Sequence, residues 1–298
     1  KGNETMNFCK NFGRLGVVCA LSVVGVTMGV NGAAALDYPT KPVRWIVGYP
    51  AGGSTDILAR LIGQWLSARL GQQFIVENRP GAGTTIANEH VAKSAPDGYT
   101  LLFSSPTVVI NMSLYRNPQF DTLRDFAGVS VFSESTNLLV VPASLAAKSP
   151  KELVALARER PGAFNYSSAG PGTTQHLAGE LFKLRTGTSI VHVPYKGSAP
   201  SLTALIAGDV QLSFVNPVAI GQHVKSGRLR ALGVAGAKRT ALMPDVPTIK
   251  EAGVEGVEVP LWFGLLAPAA TPRDIVHVLA AAVKRGAHSP DMQKKLLD

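Results

Sequence analysis

The chain has 298 residues, of which 46% are hydrophobic and only 16% are charged, and its formal net charge at pH 7 is +9. This length and composition suit one or two globular domains with a sizeable core. A basic balance favours anionic partners. The basic residues are nevertheless scattered, with no basic run and no basic stripe interleaved with aromatic residues, which argues against a nucleic-acid-binding protein.

Residues 1–35 are predicted to be a cleaved signal peptide. Lys10 and Arg14 form a basic start, residues 15–30 are an uncharged apolar run, and residues 33–35 are three alanines that suit a cleavage site. The alternative is a membrane anchor, but the apolar run is short for a hydrocarbon core of roughly 30 Å. We therefore expect an exported protein located in the periplasm.

The predicted leader also holds both cysteines of the chain, Cys9 and Cys19. The exported part is therefore expected to have no disulfide, no thiol nucleophile and no cysteine-based metal site. Removing the leader takes away three basic residues and one acidic residue, which leaves 26 basic and 19 acidic residues and a net charge of +7.

Strands and helices alternate in the first part of the remaining chain. The pattern predicts a strand at 43–48, a helix to Leu70, a strand at 74–76, a loop at 78–83, a helix at 84–94 and a strand at 100–104. Strands that alternate with helices are typical of a mostly parallel sheet with right-handed crossovers.

The same alternation starts again later in the chain. It predicts strands at 138–141, 164–167, 190–193, 210–215 and 229–235, with helices after 149–152, 168–174, 196–200 and 217. Residues 149–152 form a capping box with proline at the first helical position. Residues 257–267 are extended and apolar, and a second capping signal at 271–274 begins a helix that reaches about Ala287.

These two series predict two α/β lobes with a cleft between them. Extended crossings are expected near 129–137 and 257–263 and would form a hinge. The first lobe would comprise 36–136, the second lobe 137–258, and residues 259–298 would return to the first lobe.

Three loops rich in glycine and hydroxyl residues lie between a predicted strand and a predicted helix. They are 52–55 in the first lobe and 170–174 and 196–198 in the second. The first amides of a helix lack partners and its dipole is positive there, so such loops bind anions. Each loop alone could be an ordinary turn, but their presence in both lobes favours a shared anion site. The similar loop at 81–85 is predicted to be structural.

Other readings of these loops are weaker. Glu77 follows Gly53 by 24 residues, as the ribose-binding acid does in a dinucleotide fold, but the G-x-G-x-x-G motif and the phosphate loop are absent. No histidine pair has metal-ligand spacing and no G-x-S-x-G elbow occurs, so neither a metal site nor a hydrolase is predicted. His176 could cap its helix, pack or contact a ligand, and Lys196 could contact a carboxylate or face solvent.

Several segments resemble one family over nearly the whole chain after the leader. They are YPTKPVRWIVGYPAGGSTDILARL (38–61), VENRPGAGTTIANEHVAKSAPDGYTLL (76–102), NYSSAGPGTTQHLAGELFK (165–183), VHVPYKGSAPSLTALIAGDVQ (191–211), RLRALGVAGAKRTALMPDVPTIKEAGVEGVEV (228–259) and WFGLLAP (262–268). On these segments the chain resembles the Bug-type extracytoplasmic solute receptors, the binding proteins of tripartite tricarboxylate transporters.

The resemblance implies a two-lobed Venus flytrap of the type II periplasmic-binding class that holds a small carboxylate and is not an enzyme. It implies these ligand-binding residues: Tyr49, Ala51, Gly52, Gly53, Ser54, Ser104, Ser105, Ser168, Gly170, Gly172, Thr173, Thr174, Lys196, Gly197, Ser198 and Asn216. Neither a cofactor nor a metal is implied. The implied partners of this expected monomer are permease subunits. The alternatives are a receptor for a sensor kinase and an exported α/β enzyme.

The chain departs from the family pattern in two places. After Phe214 many relatives carry Asp-Asn, whereas this chain has Val215 and Asn216. Loss of the acid favours a ligand without an amino group. Relatives also usually continue with another helix beyond the position of Asp298, so we expect the sequence to be truncated there.

Overall fold

The computed structural model describes residues 37–297; the predicted signal peptide lies outside them. The first elements are β1 (Val43–Val47), α1 (Ser54–Leu70), β2 (Phe74–Asn78), α2 (Thr85–Ala92), β3 (Thr100–Ser104), α3 (Thr107–Leu114), α4 (Thr122–Asp125) and β4 (Phe126–Ser135). The chain continues through β5 (Leu138–Pro142), α5 (Pro150–Glu159), β6 (Phe164–Ser168), α6 (Thr174–Thr186), β7 (Ile190–Pro194), α7 (Ser198–Ala207), β8 (Leu212–Val215), α8 (Pro217–Lys225) and β9 (Leu229–Val234). It ends with β10 (Leu261–Pro268), α9 (Arg273–Ala287) and α10 (Pro290–Leu297).

The strands form two five-stranded sheets, which confirms the predicted pair of α/β lobes. The sheet of the first lobe has the order β2-β1-β3-β10-β4, and that of the second lobe has the order β7-β6-β8-β5-β9. The sheets are mixed, whereas the sequence predicted mostly parallel ones. In the first sheet β10 runs antiparallel to β3 and β4, and in the second β5 runs antiparallel to β8 and β9. β5 and β10 are the first strands after the chain crosses from one lobe to the other. No helix precedes either strand to carry the chain back across the sheet, as a parallel strand requires.

Apolar side chains pack on both faces of each sheet. In the first lobe Trp45 is fully buried and stacks on Phe103, with ring centroids 5.6 Å apart. In the second lobe Tyr166, Phe182 and Phe214 are likewise buried. Because β1 is central and covered on both faces, its sequence VRWIV is a nearly continuous apolar run rather than an alternating one.

The connections between the lobes lie side by side. β4 continues into β5 through Thr136 and Asn137 only. The Ala235 amide donates to the Asn137 carbonyl at 2.8 Å, and the Val259 amide donates to the Ala235 carbonyl at 3.1 Å. Asn216 joins this region because its side-chain amide donates to Ser135 Oγ at 2.8 Å. These bonds fix the backbone where the chain passes from one sheet to the other.

The two predicted capping signals have different outcomes. Ser149 Oγ accepts the Glu152 amide at 3.2 Å, and the Glu152 carboxylate accepts the Lys148 amide at 2.8 Å, so the first signal caps α5. The second signal predicted its helix correctly, since α9 spans Arg273–Ala287, but the predicted cap is wrong: the helix follows Pro272 without a side-chain cap, and the buried Thr271 hydroxyl has no partner among residues 37–297. Thr271 is two residues before the helix, too early for its side chain to serve as the cap.

Two helical glycines are expected to respond in opposite ways to alanine. A Cβ atom added to Gly179 in α6 would clash with Cε2 of the buried Tyr166 ring. A Cβ atom added to Gly221 in α8 would have no other atom within 4 Å. Gly221→Ala should stabilise the fold by about 0.5–1 kcal/mol because glycine is a poor helix former.

Gly179→Ala should instead lower the free energy of unfolding by about 1–2 kcal/mol, since overpacking costs more than helix propensity contributes. Urea denaturation of both variants measures the two changes. Equal stabilisation of both would show that the Tyr166 ring moves aside without cost.

Candidate functional site

A cavity lies between the two lobes, at the carboxyl ends of β1, β3 and β6. Thirteen residues line it: Tyr49, Ser54, Thr55, Ser105, Asn137, Ala169, Thr173, Thr174, Gln175, Ser198, Asn216, Leu261 and Phe263. None of these thirteen has an acidic, lysine, arginine or histidine side chain. Any recognition of charge in this cavity must therefore come from backbone dipoles, hydroxyl groups and the side-chain amides of Asn137, Gln175 and Asn216.

The start of α1 forms the polar wall on the first-lobe side. Gly53 precedes the helix and provides no side-chain cap. The amides of Ser54, Thr55 and Asp56 donate to no acceptor within residues 37–297. The Ser54 hydroxyl is buried as well and has no partner in that part of the chain. A buried polar group without a partner is costly, so these donors mark a place where a ligand atom fits.

Two helix starts form the wall on the second-lobe side. At α6 the Thr173 hydroxyl accepts the His176 amide at 3.3 Å, while the amides of Thr174 and Gln175 have no acceptor among the described residues. At α7 the Ser198 amide is likewise unpaired there. The Gln175 side chain joins the two starts, because its oxygen accepts the Ala169 amide at 2.7 Å and its nitrogen donates to Ser198 Oγ at 3.4 Å.

Asp56 holds the loop before α1 in place. Its buried carboxylate accepts hydrogen bonds from the Gly52 amide at 2.9 Å, Arg60 Nε at 3.0 Å and Asn78 Nδ2 at 2.8 Å. Asn78 Nδ2 also donates to the Tyr49 carbonyl at 2.9 Å. Burial raises the pKa of Asp56, but the hydrogen bonds from Arg60, Gly52 and Asn78 outweigh it and hold the pKa below its usual value. The ionised carboxylate thus anchors both ends of the 49–52 turn.

Part of the remaining wall is apolar. Leu261 and Phe263 are two residues apart on β10, so both side chains lie on the same face of the strand. The Tyr49 hydroxyl lies within hydrogen-bond distance of Thr107 Oγ1, at 2.7 Å, and burial raises the pKa of Tyr49. The cavity therefore combines hydrogen-bond donors at the helix starts with a hydrocarbon surface.

Small residues form the lobe contacts around the cavity. A Cβ atom on Gly197 would lie 2.8 Å from Pro50 Cδ, and one on Gly172 would lie 2.7 Å from Leu114 Cδ2. Both glycines have positive φ, 123° and 77°. The lobes approach each other so closely at these two glycines that a side chain at either position would clash with the other lobe. This close approach indicates a closed arrangement.

The structure brings seven of the sixteen sequence-predicted site residues to the cavity wall: Tyr49, Ser54, Ser105, Thr173, Thr174, Ser198 and Asn216. The other nine lie outside that wall: Ala51, Gly52, Gly53, Ser104, Ser168, Gly170, Gly172, Lys196 and Gly197. Gly172 and Gly197 instead lie at the lobe contacts, and Lys196 is exposed. The Ser168 hydroxyl contacts the Gly170 backbone and does not line the cavity.

Six lining residues are absent from the sequence-predicted set, although the first of them lies in the predicted 52–55 loop: Thr55, Asn137, Ala169, Gln175, Leu261 and Phe263. Thr55 and Gln175 directly follow predicted residues in the first turns of α1 and α6, so helix geometry could have included them. Leu261 and Phe263 stand in the apolar 257–267 stretch, but nothing in that stretch indicates which face meets the cleft.

A family model described as "Tripartite tricarboxylate transporter family receptor" matches residues 58–298. The chain belongs to this family. The receptor is similar to three solved structures in particular, and each match covers most of both chains.

One is R. palustris Rpa4515 with adipate, at 41% identity and a TM-score of 0.84 over 87% of each chain. Another is MatC from Rhodopseudomonas palustris with bound malate, at 32% identity and a TM-score of 0.82 over 87% of this chain and 88% of MatC. The third is the periplasmic binding protein BugD, at 31% identity and a TM-score of 0.82 over 87% of each chain. The resemblance to the Bug-type receptors is thus confirmed, and with it the role of a solute-binding receptor.

Two kinds of feature are absent from the described residues: a membrane-spanning helix and a cluster of metal ligands. Between residues 37 and 297 no helix has the length and apolar character needed to cross a membrane. In the same range no three histidine, cysteine or acidic side chains come together as metal ligands would.

Proposed function

We propose that the receptor captures a small carboxylate between its two lobes in the periplasm and delivers it to the permease of a tripartite tricarboxylate-type transporter. The single observation that carries this proposal is the meeting of three helix starts at one cavity, with unpaired amides and the unpaired Ser54 hydroxyl. Amides and dipoles at helix starts favour negative charge. Two relatives hold adipate and malate, both carboxylates.

The magnitudes are sufficient for such a ligand. A charge-assisted hydrogen bond contributes roughly 1.5–3 kcal/mol net. A micromolar ligand needs about 8 kcal/mol of net binding free energy. Five such bonds from both lobes would contribute roughly 7.5–15 kcal/mol, and the upper part of this range exceeds that value and offsets part of the cost of association.

The lining also favours a ligand without an ammonium group. An α-amino cation in a closed cavity needs an acidic partner. None of the thirteen lining residues provides one, and Val215 occupies the position of the acid in relatives that carry it. The hydrocarbon surface of Leu261 and Phe263 suits the carbon skeleton of a dicarboxylate or aromatic acid.

Contacts with both lobes supply the differential affinity that shifts the receptor to its closed form. Closure would create a surface that a permease subunit recognises. A sensor kinase could read the same surface, and this is the second candidate partner.

Thermal unfolding with a carboxylate panel tests the proposal. The panel contains adipate, malate, citrate, benzoate and glutamate. At least one carboxylate without an amino group should raise the melting temperature, while glutamate should not. Nuclear magnetic resonance of the same samples should show every compound unchanged. Consumption of a compound would favour the exported enzyme, and no shift with any carboxylate would contradict the proposed ligand class.

A further inference from the structure

Two histidine rings stack beside the second-lobe wall of the cavity. His176 in the first turn of α6 and His192 on β7 have ring centroids 4.4 Å apart and planes inclined by 25°. On its other face His192 stacks on Tyr166, with centroids 4.7 Å apart. Both histidines are half-buried, and neither lines the cavity.

Both rings connect to the loop of residues 169–173, which leads into α6. The Gly172 amide donates to His176 Nδ1 at 3.3 Å. The Gly170 amide donates to Ser168 Oγ at 3.1 Å, and Ser168 Oγ lies 2.7 Å from His192 Nε2. An amide can only donate, so His176 Nδ1 carries no proton in this arrangement. Ser168 Oγ can donate to His192 Nε2 or to the Gly170 carbonyl, which is 3.3 Å away, so this contact is compatible with either neutral tautomer of His192.

Of the charged groups near the pair, Glu180 favours protonated rings and Lys183 opposes them. The Glu180 carboxylate on α6 already has two partners: it accepts a hydrogen bond from the Tyr166 hydroxyl at 2.7 Å and forms an ion pair with Lys183 at 2.8 Å. Burial and the neighbouring His176 lower the pKa of His192 to about 4, and burial lowers the pKa of His176. Unfolded histidine has a pKa of about 6.5. The folded pair therefore stays neutral over a range in which free histidine is protonated.

We propose that His176 and His192 are positioning residues that hold the 169–173 loop in its ligand-binding form only while both rings are neutral, so that acidification loosens the second-lobe half of the site. The link from loop to ligand rests on the function proposed above. A proton on His176 Nδ1 would oppose the Gly172 N–H, and a second proton on His192 would bring two cations 4.4 Å apart. The loop would then lose the hydrogen bond from the Gly172 amide to His176 Nδ1.

The sign of the effect on stability follows from the lowered pKa values. Between the folded and unfolded pKa values the unfolded chain binds more protons, so stability falls as pH falls through that window. For His192 the window extends from about pH 6.5 down to about pH 4. Above this pH window the histidine pair makes no pH-dependent contribution to the free energy of unfolding.

Nuclear magnetic resonance of the ligand-free receptor tests the proposal without knowledge of the ligand. The ring C–H signals of both histidines and the amide signals of Gly170 and Gly172 are followed from about pH 8 to about pH 4, a range that spans the usual histidine pKa. Each ring should titrate below 6.5, and the Gly172 amide should shift with the midpoint of the His176 ring. Histidine rings that titrate at the usual value, or loop amides that do not respond, would overturn the proposal.

Two variants separate positioning from packing. His176→Asn keeps an acceptor near Nδ1, and His192→Gln keeps one near Nε2, but neither side chain titrates. The pH-dependent shift of the Gly172 amide should disappear in His176→Asn and persist in His277→Asn, whose histidine is exposed on α9. If His176→Asn retains the wild-type shift, the ring is not the cause and the proposal fails.

Calorimetry with adipate connects the pair to binding. In wild type, adipate affinity should fall from about pH 7 to about pH 4 and approach a tenfold loss as the rings become protonated, because one lost loop hydrogen bond weakens binding by about 1.4 kcal/mol. In His176→Asn the fall should be at least threefold smaller. A fall that is unchanged in the variant would contradict the link to the site. Absence of adipate binding at every pH would count against adipate as ligand, while the ligand-free titration still decides whether the pair positions the loop.

Discussion

Replacing Ser54 by aspartate is expected to abolish carboxylate binding while the unliganded receptor stays as stable as wild type. Ser54 is the first residue of α1, and its hydroxyl and amide point into the cavity without partners among the described residues. An acidic side chain in the first turn favours the helix dipole. The same carboxylate would occupy the position of the ligand and repel it.

The expected loss is large. Two unit charges 4 Å apart repel by about 4 kcal/mol at an effective dielectric constant of 20. This corresponds to roughly a thousandfold weaker binding. Ser54→Asn has a similar shape without the charge and should weaken binding by tenfold at most. Calorimetry with the panel carboxylate that gives the largest thermal shift measures both variants. If Ser54→Asp binds as well as Ser54→Asn, negative charge is not what this helix start recognises.

Replacing Asp56 by alanine is expected to weaken both folding and binding. Three donors lose their acceptor: the Gly52 amide, Arg60 Nε and Asn78 Nδ2. Hydrogen bonds to a charged group contribute more than neutral ones, so the free energy of unfolding should fall by about 3 kcal/mol. Without this anchor the 49–52 turn no longer presents the α1 amides to the cleft, and carboxylate affinity should fall at least tenfold.

A matched control separates this anchor from an ordinary surface ion pair. Asp291 and Lys295 on α10 have the same spacing as Asp56 and Arg60, but both are well exposed. Asp291→Ala should therefore change the free energy of unfolding by less than about 0.5 kcal/mol. Urea denaturation of both variants measures the difference.

The effect of Asp56→Ala should also depend on pH. Because the pKa of Asp56 is lowered in the folded receptor, its stabilisation is present above the usual aspartate pKa of about 3.9 and is lost as pH falls through the lowered value. The gap between wild type and Asp56→Ala should therefore shrink in acid. A gap that is constant with pH would show that the ionised carboxylate is not the anchor.

The local elements were predictable because their signals are local. The strand–glycine–helix sequence at 43–70 predicted where α1 begins, and the hydroxyl residues beside the glycines predicted Ser54, Thr173 and Ser198, which line the cavity. Strand and helix periodicity also predicted that the same alternation builds two lobes. These features depend on residues close together in the chain.

The rest of the site depends on contacts between distant segments. Leu261 and Phe263 face the cleft because β10 lies between β3 and β4, a strand order that no local pattern fixes. Gly172 resembles a ligand contact in sequence, but its proximity to Leu114 of the other lobe makes it part of the lobe contact. The short helix α3 was missed because it has only eight residues and its apolar residues show little helical periodicity.

The most direct measurement is a crystal structure of the receptor with the panel carboxylate that gives the largest thermal shift. We expect the carboxylate oxygens within hydrogen-bond distance of the Ser54 or Thr55 amide on one lobe, and of the Thr174, Gln175 or Ser198 amide on the other. A ligand whose carboxylate instead binds Lys196 or another cationic side chain, with these amides facing neutral atoms, would contradict recognition by helix starts.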